Sequence, residues 1–109
     1  MAVKLKYIAS LAAAFLIQPL HGAESIWIDV RSSEEYAQGH LPNALNIPHT
    51  EIAAKIAEVS QDKTATIHLY CRSGRRSGLA EQQLKALGYL NVSNAGSYEQ
   101  LKISTEPKS

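Results

Sequence analysis

One cysteine, one methionine, one tryptophan and one phenylalanine stand among 109 residues. A single thiol excludes a disulfide framework within the chain and a zinc site built on four thiolates. No apolar run reaches the ~20 residues needed to span a bilayer. The longest stretch, Tyr7 to Ile17, is interrupted by Ser10 and stopped by Gln18-Pro19. A net charge of +1 gives no global electrostatic ground for nucleic-acid binding. Repeats, linkers and low-complexity segments are absent. What is present is a 45% apolar, 19% charged composition, which suits one small domain with a real core.

The first residues belong to targeting rather than to fold. Lys4 and Lys6 precede the apolar run, and the small residues Gly22 and Ala23 follow it. A positive start, a short apolar middle and a small-residue exit describe a secretory signal. Residues 1–23 are therefore expected to be removed after export to a periplasmic compartment, with cleavage after Gly22 or Ala23. No cysteine lies near the cut, so lipid attachment there is excluded, and no stable membrane association is expected afterwards. Without Lys4 and Lys6 the eleven basic residues fall to nine against ten acidic ones, and three of the nine are Arg72, Arg75 and Arg76. A mildly acidic domain with one concentrated positive spot has the shape of a small-anion site.

The remainder alternates strand and helix. Ile26 to Val30 is a short β-branched run suited to a buried strand. Ser32 and Glu35 form a capping box for a short helix ending near Gly39. Ala44 to Ile47 makes a brief strand between Pro42 and Pro48. Thr50 caps a helix with Ile52, Ile56 and Val59 on one face. Thr66 to Tyr70 is a third strand, and a helix from Arg76 to Leu87 sets Ala80, Leu84 and Leu87 inward and stops at Gly88. Leu90 to Ser93 is a fourth strand, a short helical turn with Tyr98 and Leu101 follows, and residues 104–109 form a frayed tail. This order predicts an α/β domain over residues 24–103, a small parallel sheet of about four strands flanked by helices.

In such sheets ligands sit beyond the carboxyl ends of the strands. Asp29 and Arg31 end the first strand, and Cys71 follows the third, placing the thiol and an ionisable pair on one edge. The loop is Cys71-Arg72-Ser73-Gly74-Arg75-Arg76-Ser77. A free cysteine is most often a buried, inert apolar residue. Here a helix N-terminus and three guanidinium groups lie close by, and both lower a thiol pKa. A Gly-containing loop can also turn its amides inward around an anion. The expected result is an exposed, reactive thiolate in an anion cradle.

Several motifs in order now resemble a known family. Asp29-Val30-Arg31, Glu35-Tyr36, Gly39-His40-Leu41-Pro42, Asn46-Ile47-Pro48, the Cys71–Ser77 loop, Gly88-Tyr89 and Asn94-Ala95-Gly96 resemble a rhodanese (thiosulfate sulfurtransferase) domain of the small, exported, single-domain kind. The resemblance covers about Ile26 to Gly96 and implies a three-layer rhodanese-like fold. It also implies a mechanism: Cys71 takes the outer sulfur of thiosulfate as a persulfide and passes it to cyanide or a thiol. Arg72, Ser73, Gly74, Arg75 and Arg76 would bind the anionic donor. Arg31 and Glu35 would form a structural salt bridge, Asp29 would support nearby backbone or a loop arginine, and His40 would belong to a turn.

No cofactor is called for, and His49 and His68 carry no metal-ligand spacing. Trp27 and Tyr70 read as core and pocket wall. A monomer acting on small molecules is expected. Related cysteine phosphatases place Arg sixth after Cys; here that position is Ser77, with the arginine one earlier, a cradle tighter than phosphate needs. The remaining alternatives are a non-catalytic binding module using the same loop and a redox sensor, which would need a partner thiol. Two departures from the family stand out. Asn43 replaces a usual Gly in a turn that Asn tolerates, and the strand and helix usual before Asp-Val-Arg are missing, which predicts a wide, exposed pocket.

Overall fold

The computed structural model describes residues 25–105; the expected signal, residues 1–23, and residues 106–109 of the expected tail lie outside them. The elements run β1 Ser25–Asp29, α1 Ser33–Gln38, β2 Leu45–Asn46, α2 Ile52–Val59, β3 Thr66–Cys71, α3 Arg75–Ala86, β4 Asn91–Ser97 and α4 Tyr98–Thr105. The strands form one parallel sheet in the order β2-β1-β3-β4. The chain leaves β1 toward β2 on one side and returns to β3 on the other. The carboxyl ends of β1 and β3 therefore flank the switch point where such sheets hold ligands.

Successive strand residues point to opposite faces, so one-residue differences decide what meets what. Ile28, Val30, Ile67, Leu69 and Cys71 share a core with Ile52 and Ile56 of α2 and Ala80 and Leu84 of α3. Tyr70 lies on the other face with Leu41 and Ala44, packed by Trp27, Tyr98 and Leu101. Asp29 stands opposite Tyr70 in the β1–β3 register. Asp29 and Cys71 thus end neighbouring strands on one edge, as expected, but face opposite sides of the sheet.

Local signals mostly hold. The Ser32 hydroxyl accepts from Glu35 N at 3.2 Å while Glu35 Oε1 accepts from Ser32 N at 3.0 Å, completing the capping box. Asn43 adopts φ 67°, alone among the described non-glycine residues. Several boundaries differ. Pro48 O accepts from Glu51 N at 2.8 Å, a turn that delays α2, whose N-cap is Glu51 with no side-chain cap in place of Thr50. At the end of α3, Gly88 N donates to Lys85 O and Tyr89 N to Leu84 O, a Schellman closure. That closure sends Tyr89 inward at 3% exposure and leaves Leu87 outside at 43%, against its predicted inward place. β4 continues to Ser97, and α4 is an eight-residue helix that includes Ser104 and Thr105, which the sequence pattern assigned to the tail.

Truncating Leu84, which is fully buried, should cost ~2–5 kcal/mol, whereas Leu87→Ala should stay within ~0.5 kcal/mol. Urea unfolding of the two variants beside wild type checks the inversion of the expected stripe.

Candidate active site

Three residues separate the end of β3 at Cys71 from the start of α3 at Arg75. A connection this short sets the first turn of the helix directly over the strand end. Gly74 makes it feasible by taking φ +93° at the N-cap, a conformation that L side chains rarely adopt. Its N–H then donates to Cys71 Sγ at 3.0 Å. Ser77 contributes its N–H and lies with its hydroxyl oxygen against the same sulfur, each at 3.4 Å. Burial pushes the Cys71 thiol up, but hydrogen bonding from the Ser77 hydroxyl and from the amides of Ser77, Gly74 and Ser73 outweighs it, so the thiol titrates below its ordinary value.

Two expectations are corrected here. The sulfur is not exposed: Cys71 has 0% accessible surface, because the short loop closes the helix start over it. The leading cause of its acidity is dipoles rather than guanidinium charge. The arginines are dispersed. Arg76 Nη1 and Nη2 grip Glu35 at 2.8 and 3.1 Å, whereas Arg75 is exposed. Arg72 lines a cleft of about 420 Å³ with Arg31, Glu35, Gly39, Tyr98 and Lys102; Cys71 does not line it.

The expected Arg31–Glu35 bridge is also not formed. Arg31 instead pairs with Asp29, its Nη2 2.6 Å from Oδ2, and donates to Gly39 O at 2.7 Å. Its guanidinium lies 4.4 Å from the Tyr98 ring centre and 5.8 Å from that of Tyr70. Alternation explains the exchange: Asp29 is buried beside Arg31, while Glu35 lies within reach of α3 and takes Arg76. Asp29 also accepts from Arg31 N at 2.9 Å, the backbone support that was expected. His40 contacts Tyr36, with Nδ1 2.8 Å from its carbonyl oxygen and the rings stacked at 3.6 Å, as a turn histidine should.

Two residues that the sequence places in the family motifs, with no role in the site, turn out to hold it. Ser77 closes the loop motif and marks the place where a phosphatase arginine is missing. Asn94 sits at a β-bulge: Leu69 pairs with Asn94 but Tyr70 with Gly96. The extra residue turns the Asn94 carboxamide onto the loop, where Nδ2 donates to Gly74 O at 2.9 Å and Oδ1 accepts from Ser77 Oγ at 2.6 Å. Asn-Ala-Gly inside a strand is the available signal, because such residues mark bulges.

A model of the rhodanese-like domain family matches residues 12–103. The chain belongs to that family. It is 42% identical over 98 residues to the thiosulfate sulfurtransferase PspE of Escherichia coli K12, covering 90% of this chain and 92% of that one. Among solved structures, a rhodanese with anions from E. coli shares 43% identity at TM-score 0.68, covering 70% of this chain and 89% of that one. The human single-domain sulfurtransferase TSTD1 is 27% identical at TM-score 0.66 and covers 94% and 95% of the two chains. The rhodanese fold expected from the sequence is the fold observed, and the family supports a sulfurtransferase activity.

The Glu35–Arg76 pair ties α1 to the loop helix. Its hydrogen bond from Arg76 holds the Glu35 carboxyl down at about 2, against an ordinary 4.5. A carboxylate lowered on folding stabilises the fold above its unfolded pKa, and that contribution is lost as pH falls through the folded value. Wild type should therefore lose ~1–2 kcal/mol between about pH 4.5 and 2 that Glu35→Gln does not lose, allowing for solvent screening. Denaturant unfolding of both proteins across that range measures the difference.

Proposed function

We propose that this chain is a thiosulfate sulfurtransferase that carries sulfur on Cys71. The observation that carries the reading is the convergence of the Gly74 and Ser77 groups on one sulfur, at 3.0 to 3.4 Å, in a member of the rhodanese-like family. Dipoles held in this way favour a charged sulfur before and after it accepts a second one. The Cys71 thiolate attacks the outer sulfur of thiosulfate, the donor S–S bond breaks, and sulfite departs with the electron pair. Cyanide or a thiolate then attacks the outer persulfide sulfur and returns the Cys71 thiolate. Arg72, which lines the charged cleft, binds the anionic donor; Arg76, held by Glu35, keeps the loop in place.

The loop has to yield during this cycle. Its donors now touch Sγ itself, and a second sulfur bonded at ~2 Å needs the space that they close. The signal-like composition of residues 1–23 supports an exported site of action. The complete burial of Cys71 favours a second reading, a binding module that uses the loop without chemistry.

One assay separates the two. Wild type incubated with thiosulfate should gain the mass of one sulfur atom and release thiocyanate with cyanide, and Cys71→Ser should do neither. Arg72→Ala should raise KM for thiosulfate ~10-fold, the loss of one charge-assisted contact, with little change in kcat. Equal, negligible thiocyanate formation by wild type and Cys71→Ser would favour the binding module.

A further inference from the structure

Ser77 is fully buried and has one hydroxyl proton for two neighbours. Asn94 Oδ1 lies 2.6 Å from its oxygen and Cys71 Sγ lies 3.4 Å away. The chemistry of the carboxamide decides which neighbour holds the proton. Gly96 N donates to Asn94 Oδ1 at 3.0 Å, and Gly74 O accepts from Nδ2 at 2.9 Å. Flipping the carboxamide would set N–H against N–H and oxygen against oxygen, so Oδ1 is the acceptor. While Cys71 is a thiol the Ser77 hydroxyl therefore donates to Asn94, and its lone pairs face the sulfur; donation to Sγ belongs to the thiolate. The first arrangement suits Cys71 as a thiol, whose S–H donates to Ser77 Oγ. It does not suit a thiolate, which needs a donor there.

We propose that Asn94 is a positioning residue for the reacting sulfur: it holds the Ser77 hydroxyl proton while Cys71 is a thiol and releases it to the sulfur when the thiolate forms. On ionisation the Cys71 S–H bond breaks and its proton leaves to solvent. The Ser77 O–H rotates about Cβ–Oγ from Asn94 Oδ1 to Sγ, and no other covalent bond changes. Asn94 Oδ1 keeps the Gly96 N–H, so the exchange leaves that oxygen with a partner.

The surroundings leave room for this arrangement. A Cβ on Gly78, one turn into α3, would stand 3.3 Å from Asn94 Nδ2, so glycine there admits the carboxamide. The groups facing Cys71 from other elements are few. α3 supplies Arg76, held by Glu35 of α1. Val30, just past the end of β1, joins the shared core while the Asp29–Arg31 pair lies on the opposite face, and α2 supplies apolar Ile52 and Ile56. No carboxylate among these bonds the sulfur; Arg76 meets its charge only at a distance, and the Ser77 hydroxyl is the side-chain group within hydrogen-bond reach of it.

The inference rests on the sulfur-carrier reading of Cys71, but its test does not use sulfur transfer. The chain has one cysteine, so thiolate ultraviolet absorbance against pH, with Cys71→Ser subtracted, reads that group alone. Ser77→Ala should move the midpoint up by about one pH unit, a ~10-fold lower thiolate fraction on the acid side. Asn94→Ala should move it down where Ser77 is present and should not do so in the Ser77→Ala background. Equal movement in both backgrounds would overturn the proposal. Should Asn94→Ala fail to fold, the side-chain amide resonances of Asn94 in the unsubstituted chain decide. They should shift with the thiolate midpoint, and the shift should vanish in Ser77→Ala; a shift that persists there reports only the field of the charge and overturns the proposal. An inactive chain that passes these tests would refute the function and leave the hydroxyl exchange standing.

Discussion

An amide stays aimed at a sulfur only while the backbone carrying it is prevented from turning away. Much of the carboxyl rim of this sheet serves that constraint. The Gly74 and Ser77 N–H groups reach Cys71 Sγ because a three-residue connection forces the start of α3 over the end of β3. Glycine at position 74 permits the left-handed turn that this needs. From one side Arg76 is clamped by Glu35, which also completes the cap of α1. From the other, Asn94 reaches Gly74 O and Ser77 Oγ out of the β4 bulge. Two neighbouring elements thus brace one loop, and the sulfur lies where the dipoles converge.

Charge is distributed by the same geometry. A cluster of arginines next to a cysteine invites the view that guanidinium charge tunes the thiol. Instead Arg76 is paired with Glu35 and meets the sulfur's charge only at a distance, Arg31 is paired with Asp29, and Arg72 turns to a cleft lined by both signs of charge. The Asp29–Arg31 pair is almost wholly buried, with Asn46 Nδ2 donating to the carbonyls of Asp29 and Arg31 at 3.0 Å. Breaking such a pair strands a charge in the interior at a cost of ~3–5 kcal/mol, which makes it a firm corner brace. It also seats the guanidinium against Tyr98, linking the β1 end to α4.

How much of this was legible depends on the range of each interaction. Ser32 and Glu35 act across one turn, so their capping box was readable. The inward stripe Ile52–Ile56 follows from helix period alone. Leu87 misled because the period continues past the point where Gly88 redirects the chain, and Tyr89 takes the buried place. The family resemblance implies an Arg31–Glu35 bridge, but partners here are chosen by sheet alternation. Asn94 and Ser77 stand 17 residues apart, and no local pattern joins them.

By itself the sequence determined the order of elements, the parallel sheet and the lone thiol in a Gly- and Arg-containing loop, because those depend on period, turn chemistry and composition. Tertiary structure alone decided that Cys71 and Asp29 face opposite sides, that the sulfur is covered, and that Glu35 and Asn94 hold the loop. The facing of Cys71 and Asp29 and the reach of Asn94 turn on register between strands distant in the chain, where a shift of one residue would present the opposite set of side chains; the cover over the sulfur and the Glu35–Arg76 pair turn on how the helices pack at the strand ends.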